Sequence, residues 1–177
     1  MPARTITADS ARPTEIGCEM TEIVVKPAEE LRWEVPHDTS TNRIADLAEV
    51  RRYIDAIDFG PLKHRLTQGR DVLGSEWSPA RADYYERLYK NWLYLRRRYE
   101  GELLPPHIDI DEFWHGHILD THAYFAHCDR IFGYYFHHFP YFGTRGPADR
   151  TNLSNAWQQT QDRYHAEFGE YIYDFVE

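Results

Sequence analysis

The chain has 177 residues, 42% hydrophobic and 28% charged, which suits one globular domain with its own core and falls short of two ordinary ones. A formal charge of −9 repels a phosphate backbone, so no nucleic-acid partner is expected. No run approaches the roughly 18 apolar residues of a membrane span, so no membrane partner is expected either.

"MPARTITADSARPTE" lacks the apolar middle of a secretory leader. The two cysteines, Cys18 and Cys128, offer no disulfide framework, and a reducing cytoplasm is the expected compartment. The unusual feature is aromatic: thirteen Tyr, nine Phe and five Trp. Tyr and Trp join an apolar body to a polar tip, so cores rich in them often surround polar sites.

Residues 1–40 are rich in Thr, Pro, Glu and Ala and show no helical stripe, so they read as a flexible N-terminal segment. Thr21–Pro27 and Leu31–Pro36 are its two extended pieces, and Leu31, Trp33 and Val35 alternate so that one side can dock on the domain. From Thr41 the helical period dominates, and residues 41–177 are expected to form a single all-α domain of five to six helices.

Ile44, Leu47, Val50, Ile54 and Ile57 share a face, with Thr41 or Asn42 as cap and Phe59-Gly60-Pro61 as stop. A short helix through Leu62–Leu66 follows. Ser78-Pro79 opens the clearest helix, striped by Tyr85, Leu88, Trp92, Leu95 and Tyr99; Arg96-Arg97-Arg98 reads as its solvated end. Asp109 is placed to cap the helix that carries Phe113 and Trp114. Asp120-Thr121 starts another, stopped at Gly133. Tyr134–Pro147 is an aromatic loop, and a last helix carries Leu153, Trp157, Tyr164 and Phe168 to Gly169.

Seven of the ten histidines fall between His107 and His138. Asp111 and His115 are four apart, so on a helix they point within about 40° of each other, one turn apart. Such a pair can share a metal ion, or the carboxylate can simply orient the ring. His117 lies about 200° round from His115, so both meet one ion only where the helix ends or distorts. His137 and His138 follow Gly133 on a turn, and their side chains diverge. If the chain folds back there, Asp111, His115 and His138 make two imidazoles plus a carboxylate, a set that suits non-haem Fe(II) and can serve Zn.

His122 and His127 read as surface or boundary residues, and Cys128 as a buried thiol. No Ser-His-Asp order, phosphate-cradling glycine loop or Cys-x-x-Cys pair is present. A metal site, a metal-free acid/base pocket and structural histidines all stay open on spacing alone.

"DIDEFWHGHILDTHAYFAHCDRIFGYYFHHFPYFG" resembles the core of the glycine-rich domain-containing protein-like family. That pattern runs Asp, two residues, Trp-His-x-His, then a Tyr, an Asp-Cys, a Phe-Gly, and a His five positions after the Gly. It falls here on Asp111, Trp114, His115, His117, Tyr124, Cys128, Phe132, Gly133 and His138. The family's Asp before the Cys is His127 in this chain.

The resemblance implies that Asp111, His115, His117 and His138 are the recurring polar residues and favours one metal ion, Fe, Cu or Zn. With it, the expected function is a metal-dependent enzyme acting on a small molecule or peptide, oxidation ahead of Zn hydrolysis. Trp114, Tyr124, His127, Cys128, His137 and Tyr141 would surround the ligands, with Tyr134, Tyr135 and Phe142 as further wall. The alternative is a binding or scaffold module in which the His/Asp cluster knits helices together.

Overall fold

A computed structural model describes residues 35–177 apart from His37 and Leu73. The extended pieces expected over Thr21–Pro27 and Leu31–Pro36 therefore lie outside the described residues, except for Val35 and Pro36. Six α-helices follow in order: α1 (Leu47–Asp55), α2 (Gly60–Thr67), α3 (Pro79–Arg98), α4 (Ile108–Leu119), α5 (Thr121–Ile131) and α6 (Pro147–Phe168). A 3-10 turn (Arg70–Val72) joins α2 to α3, and no strand occurs among the described residues.

The long helix α3 is central. Its start is set by Ser78, whose hydroxyl accepts from the Arg81 amide, with Pro79 in the first turn. Tyr85, Leu88, Tyr89, Trp92 and Leu95 are all buried, so the aromatic stripe is core. Helices α1, α2, α4 and α6 pack around α3, and α5 packs on α4 and α1. The Trp92 indole N–H donates to the Leu104 carbonyl at 3.0 Å, tying the α3–α4 link to the core. On the far side, Thr160 of α6 donates to the Pro105 carbonyl at 2.9 Å, and Arg163 grips Glu102 with two hydrogen bonds.

Three local expectations need correction. Helix α1 is capped by Asp46, whose carboxylate accepts from the Glu49 amide at 2.8 Å, and not by Thr41 or Asn42. The stretch before it is held by the end of α5: the Ser40 amide donates to the Gly133 carbonyl, the Ile44 amide to Arg130, and the Asn42 side chain to Asp129. Those tertiary bonds outcompete an earlier helix start.

The cap of α4 is His107, whose Nδ1 accepts from the Asp109 amide at 3.2 Å, while Asp109 itself pairs with Arg81. Arg96 and Arg97, finally, are buried and not solvated. Arg96 lies four residues beyond Trp92, on the same helical face, and Arg97 donates to the Ile44 carbonyl at 3.2 Å.

Gly133 ends α5 with a left-handed φ of 78°. Its amide reaches back to the Cys128 and Asp129 carbonyls, and an added Cβ would stand 2.9 Å from the Cβ atoms of both Thr39 and Arg43. Gly133→Ala is expected to cost about 1–3 kcal/mol in urea unfolding, because strain and contact add. Gly101→Ala, at a similar φ with nothing within 4 Å, should cost about 1 kcal/mol from strain alone.

Candidate metal centre

Asp111 lies in the first turn of α4, where the helix dipole favours a carboxylate, and His115 lies one turn later. The expected i, i+4 approach is present: His115 Nε2 stands 3.4 Å from Asp111 Oδ2. After Gly133 the chain runs extended, and side chains alternate. Phe136 and His138 turn inward. Tyr135 and His137 turn away from the cleft and pack on each other, ring centroids 4.8 Å apart, with Tyr135 also against the Tyr124 ring. The alternation selects His138 over His137. Its Nε2 sits 3.0 Å from Asp111 Oδ1 and 3.0 Å from His115 Nε2.

No placement of the ring protons satisfies all three contacts among these groups. With Asp111 ionised, two Nε2–H groups both reach the carboxylate but face each other at 3.0 Å, and with only one the other ring turns a lone pair toward a carboxylate oxygen. Two donors each about 2.1 Å from a shared ion, at 90–110°, stand about 3.0–3.4 Å apart, which is the spacing observed. The Asp111/His115/His138 group can therefore hold a metal ion. His138 is largely shielded and its ring lies 4.6 Å from Trp114, while His115 is half exposed and reachable from solvent.

Tyr124 supports this arrangement from beneath. Its buried hydroxyl accepts from the Trp114 indole N–H at 2.9 Å and donates to the Phe136 carbonyl, so one oxygen fastens α4 to the extended run. Cys128 lies beside it, and burial pushes its thiol up to about 11, an inert value at neutral pH.

His117 is not in the group. It faces the core, where Nδ1 meets the Tyr89 hydroxyl at 2.8 Å and Nε2 meets His127 Nδ1 at 2.8 Å. Both nitrogens are occupied, and the Phe59 ring packs edge-on at 4.9 Å. The 200° between His115 and His117 is kept because α4 does not end before Leu119. His127 thus pairs with His117 and stands apart from Asp111. His137 and Tyr141 are exposed, and Tyr134 turns to Glu100.

The group opens on a cleft of about 640 Å³. Its walls come from Trp92, Trp114, Phe136, Phe139, Phe142 and Trp157, with Asp111, His138, His107, Arg96, Ser154 and the exposed Arg150 as polar members. Of the aromatic loop residues expected to form the wall, only Phe142 does so; Tyr134, Tyr135 and Tyr141 face elsewhere. Phe136, Arg96 and Trp157 were missed. The first follows from strand-like alternation after Gly133, and the second from the i, i+4 relation to Trp92. A second cluster, His107, Asp109 and Asp174, shares His107 with the cleft, but Asp109 is engaged by Arg81 and His107 caps α4.

Two outcomes are expected. Tyr124→Phe leaves an indole N–H and a carbonyl unpaired and should lower stability by about 2 kcal/mol, read as a fall in melting temperature. Burial pulls His117 down to about 3, with the His127 ring as a lesser cause, so the folded ring stays neutral where the unfolded one takes a proton. Stability from this ring is complete above about pH 6.5 and is lost as pH falls toward 3. Urea titrations should show a loss of about 2 kcal/mol between pH 6.5 and 5, and His117→Gln should flatten it.

No protein-family model, curated protein or solved structure matches the chain, so the family resemblance rests on the residues of the Trp-His-x-His block and its flanks.

Proposed function

We propose that this protein is a metal-dependent enzyme whose Asp111, His115 and His138 hold one ion and whose cleft takes a small metabolite or peptide. The observation that carries this reading is the convergence of two imidazole nitrogens and a carboxylate within 3.0–3.4 Å, where protons cannot satisfy all three. Two imidazoles and one carboxylate leave coordination positions open. Iron or copper is favoured, with oxidation as the chemistry; zinc-dependent hydrolysis is the second fit. When bound, the ion supplies a Lewis-acidic or redox centre at the cleft wall.

The chain's own residues do the positioning. Trp114 fixes the plane of His138, Tyr124 fixes Trp114, and the aromatic walls keep water from the reacting group. The cleft volume suits a small organic molecule.

Elemental analysis of the purified protein tests this. About one equivalent of Fe, Cu or Zn is expected. Because His115 is half exposed, His115→Ala should lose the ion and keep the melting temperature of the ion-free protein. His117→Gln should keep the ion. A protein that binds none of the three metals, and that loses its fold on His115→Ala, is a scaffold in which the cluster is structural.

A further inference from the structure

Arg96 has no assigned partner that matches its charge. The side chain is 6% exposed and lines the cleft. Its Nη1 donates to the Glu102 carbonyl, and its guanidinium lies over the Phe136 ring at 5.1 Å. Among the described residues no carboxylate is within ion-pair distance of it. The two nearest are engaged elsewhere: Glu100 by Arg43 and Arg97, and Glu102 by Arg163. A buried cation left without an anion is costly, and here the open side of that cation is an apolar cleft.

Resting on the reading of this cleft as the substrate site, we infer that it takes an apolar or aromatic carboxylate whose anionic group docks on Arg96. Nη1 is occupied, so the guanidinium edge formed by Nε and Nη2 is the one left for a carboxylate, and that edge matches two oxygens side by side. The apolar body lies along Trp92, Leu153 and Trp157. Phe136 stacks on Trp114 and Trp114 packs on His138, so the far end of such a ligand arrives beside Asp111 and His138, two rings from its anionic end. In the ion-free protein Asp111 repels a carboxylate at one end, and Arg96 attracts it at the other.

The test uses 4-phenylbutyrate and its neutral amide as probes, titrated by calorimetry into the His115→Ala protein, in which the proposed ion site is removed. The acid should bind about tenfold or more tightly than the amide. Arg96→Met should bring the ratio to about one with helical circular dichroism intact, and Leu153→Trp, which fills the cleft, should abolish both. If Arg96→Met loses its fold, Arg96→Lys decides, since it keeps the charge without the planar fork and should lower the ratio.

Equal binding of acid and amide, or no binding of either, overturns the inference. So does a preference that survives Arg96→Met or is undiminished in Arg96→Lys, or one removed instead by changing exposed Arg150 to Gln. An acid preference present in wild type and absent in His115→Ala places the anion at the Asp111 end and overturns it too. If the wild-type protein holds no metal, the same titrations are made in wild type and in its Arg96 variants, so the two readings fail separately.

Discussion

The arrangement depends on a single hydroxyl. Tyr124 joins two elements that approach from different directions: helix α4 through the Trp114 indole, and the extended run after Gly133 through the Phe136 carbonyl. Both contacts are buried, so neither group can turn to water instead. Everything at the candidate metal centre lies one step from that oxygen. His115 follows Trp114 in sequence, Asp111 sits on the same helix, and His138 lies two residues beyond Phe136. The left-handed turn at Gly133 provides the reversal, and the Tyr124 hydroxyl fixes where the reversed chain lands.

Helix α4 separates two histidine environments with one short motif. His115 points toward the cleft rim and solvent, next to a carboxylate. His117 points into packed rings, next to Tyr89 and His127. A neutral imidazole has one donor and one acceptor, so the Tyr89–His117–His127 chain runs in one direction, and burial keeps it neutral. The inner pair serves packing and specificity of fold. The outer group is the one that can hold an ion. Gly116 between them has a structural reason as well: α2 closes on this face, and a Cβ there would meet Leu62 at 2.4 Å.

The helices could be read from the chain because their signals are local. Ser78-Pro79, Asp120-Thr121, Gly133 and Gly169 are cap and stop residues whose roles depend on near neighbours, and each acts as its chemistry predicts. The pairing of Asp111 with His115 was readable for the same reason, and His138 was readable only as a condition on the turn. Long-range partners were not readable. The start of α1 is decided by the far end of α5, through Ser40, Asn42 and Ile44. Arg96 reads as polar and hence solvated, but it sits on the buried stripe of α3 and completes a cleft whose other residues reach as far along the chain as Trp157. His117 was ambiguous because its partners, Tyr89 of α3 and Phe59 at the start of α2, come from distant parts of the chain.

The alternation after Gly133 sets a rule on how this segment can vary. From Tyr135 to His138 residues that line the cleft alternate with residues that do not, and the parity of the count decides which imidazole faces Asp111. Gaining or losing one residue there would present the neighbour's ring to the carboxylate and swing Phe136 out of the cleft floor, undoing both at once. Related chains that keep the centre must therefore conserve the spacing from glycine to histidine more strictly than the identity of Tyr135 or His137. Changes in loop length belong past Phe139, where they reshape the mouth of the cleft and leave the ligands in phase.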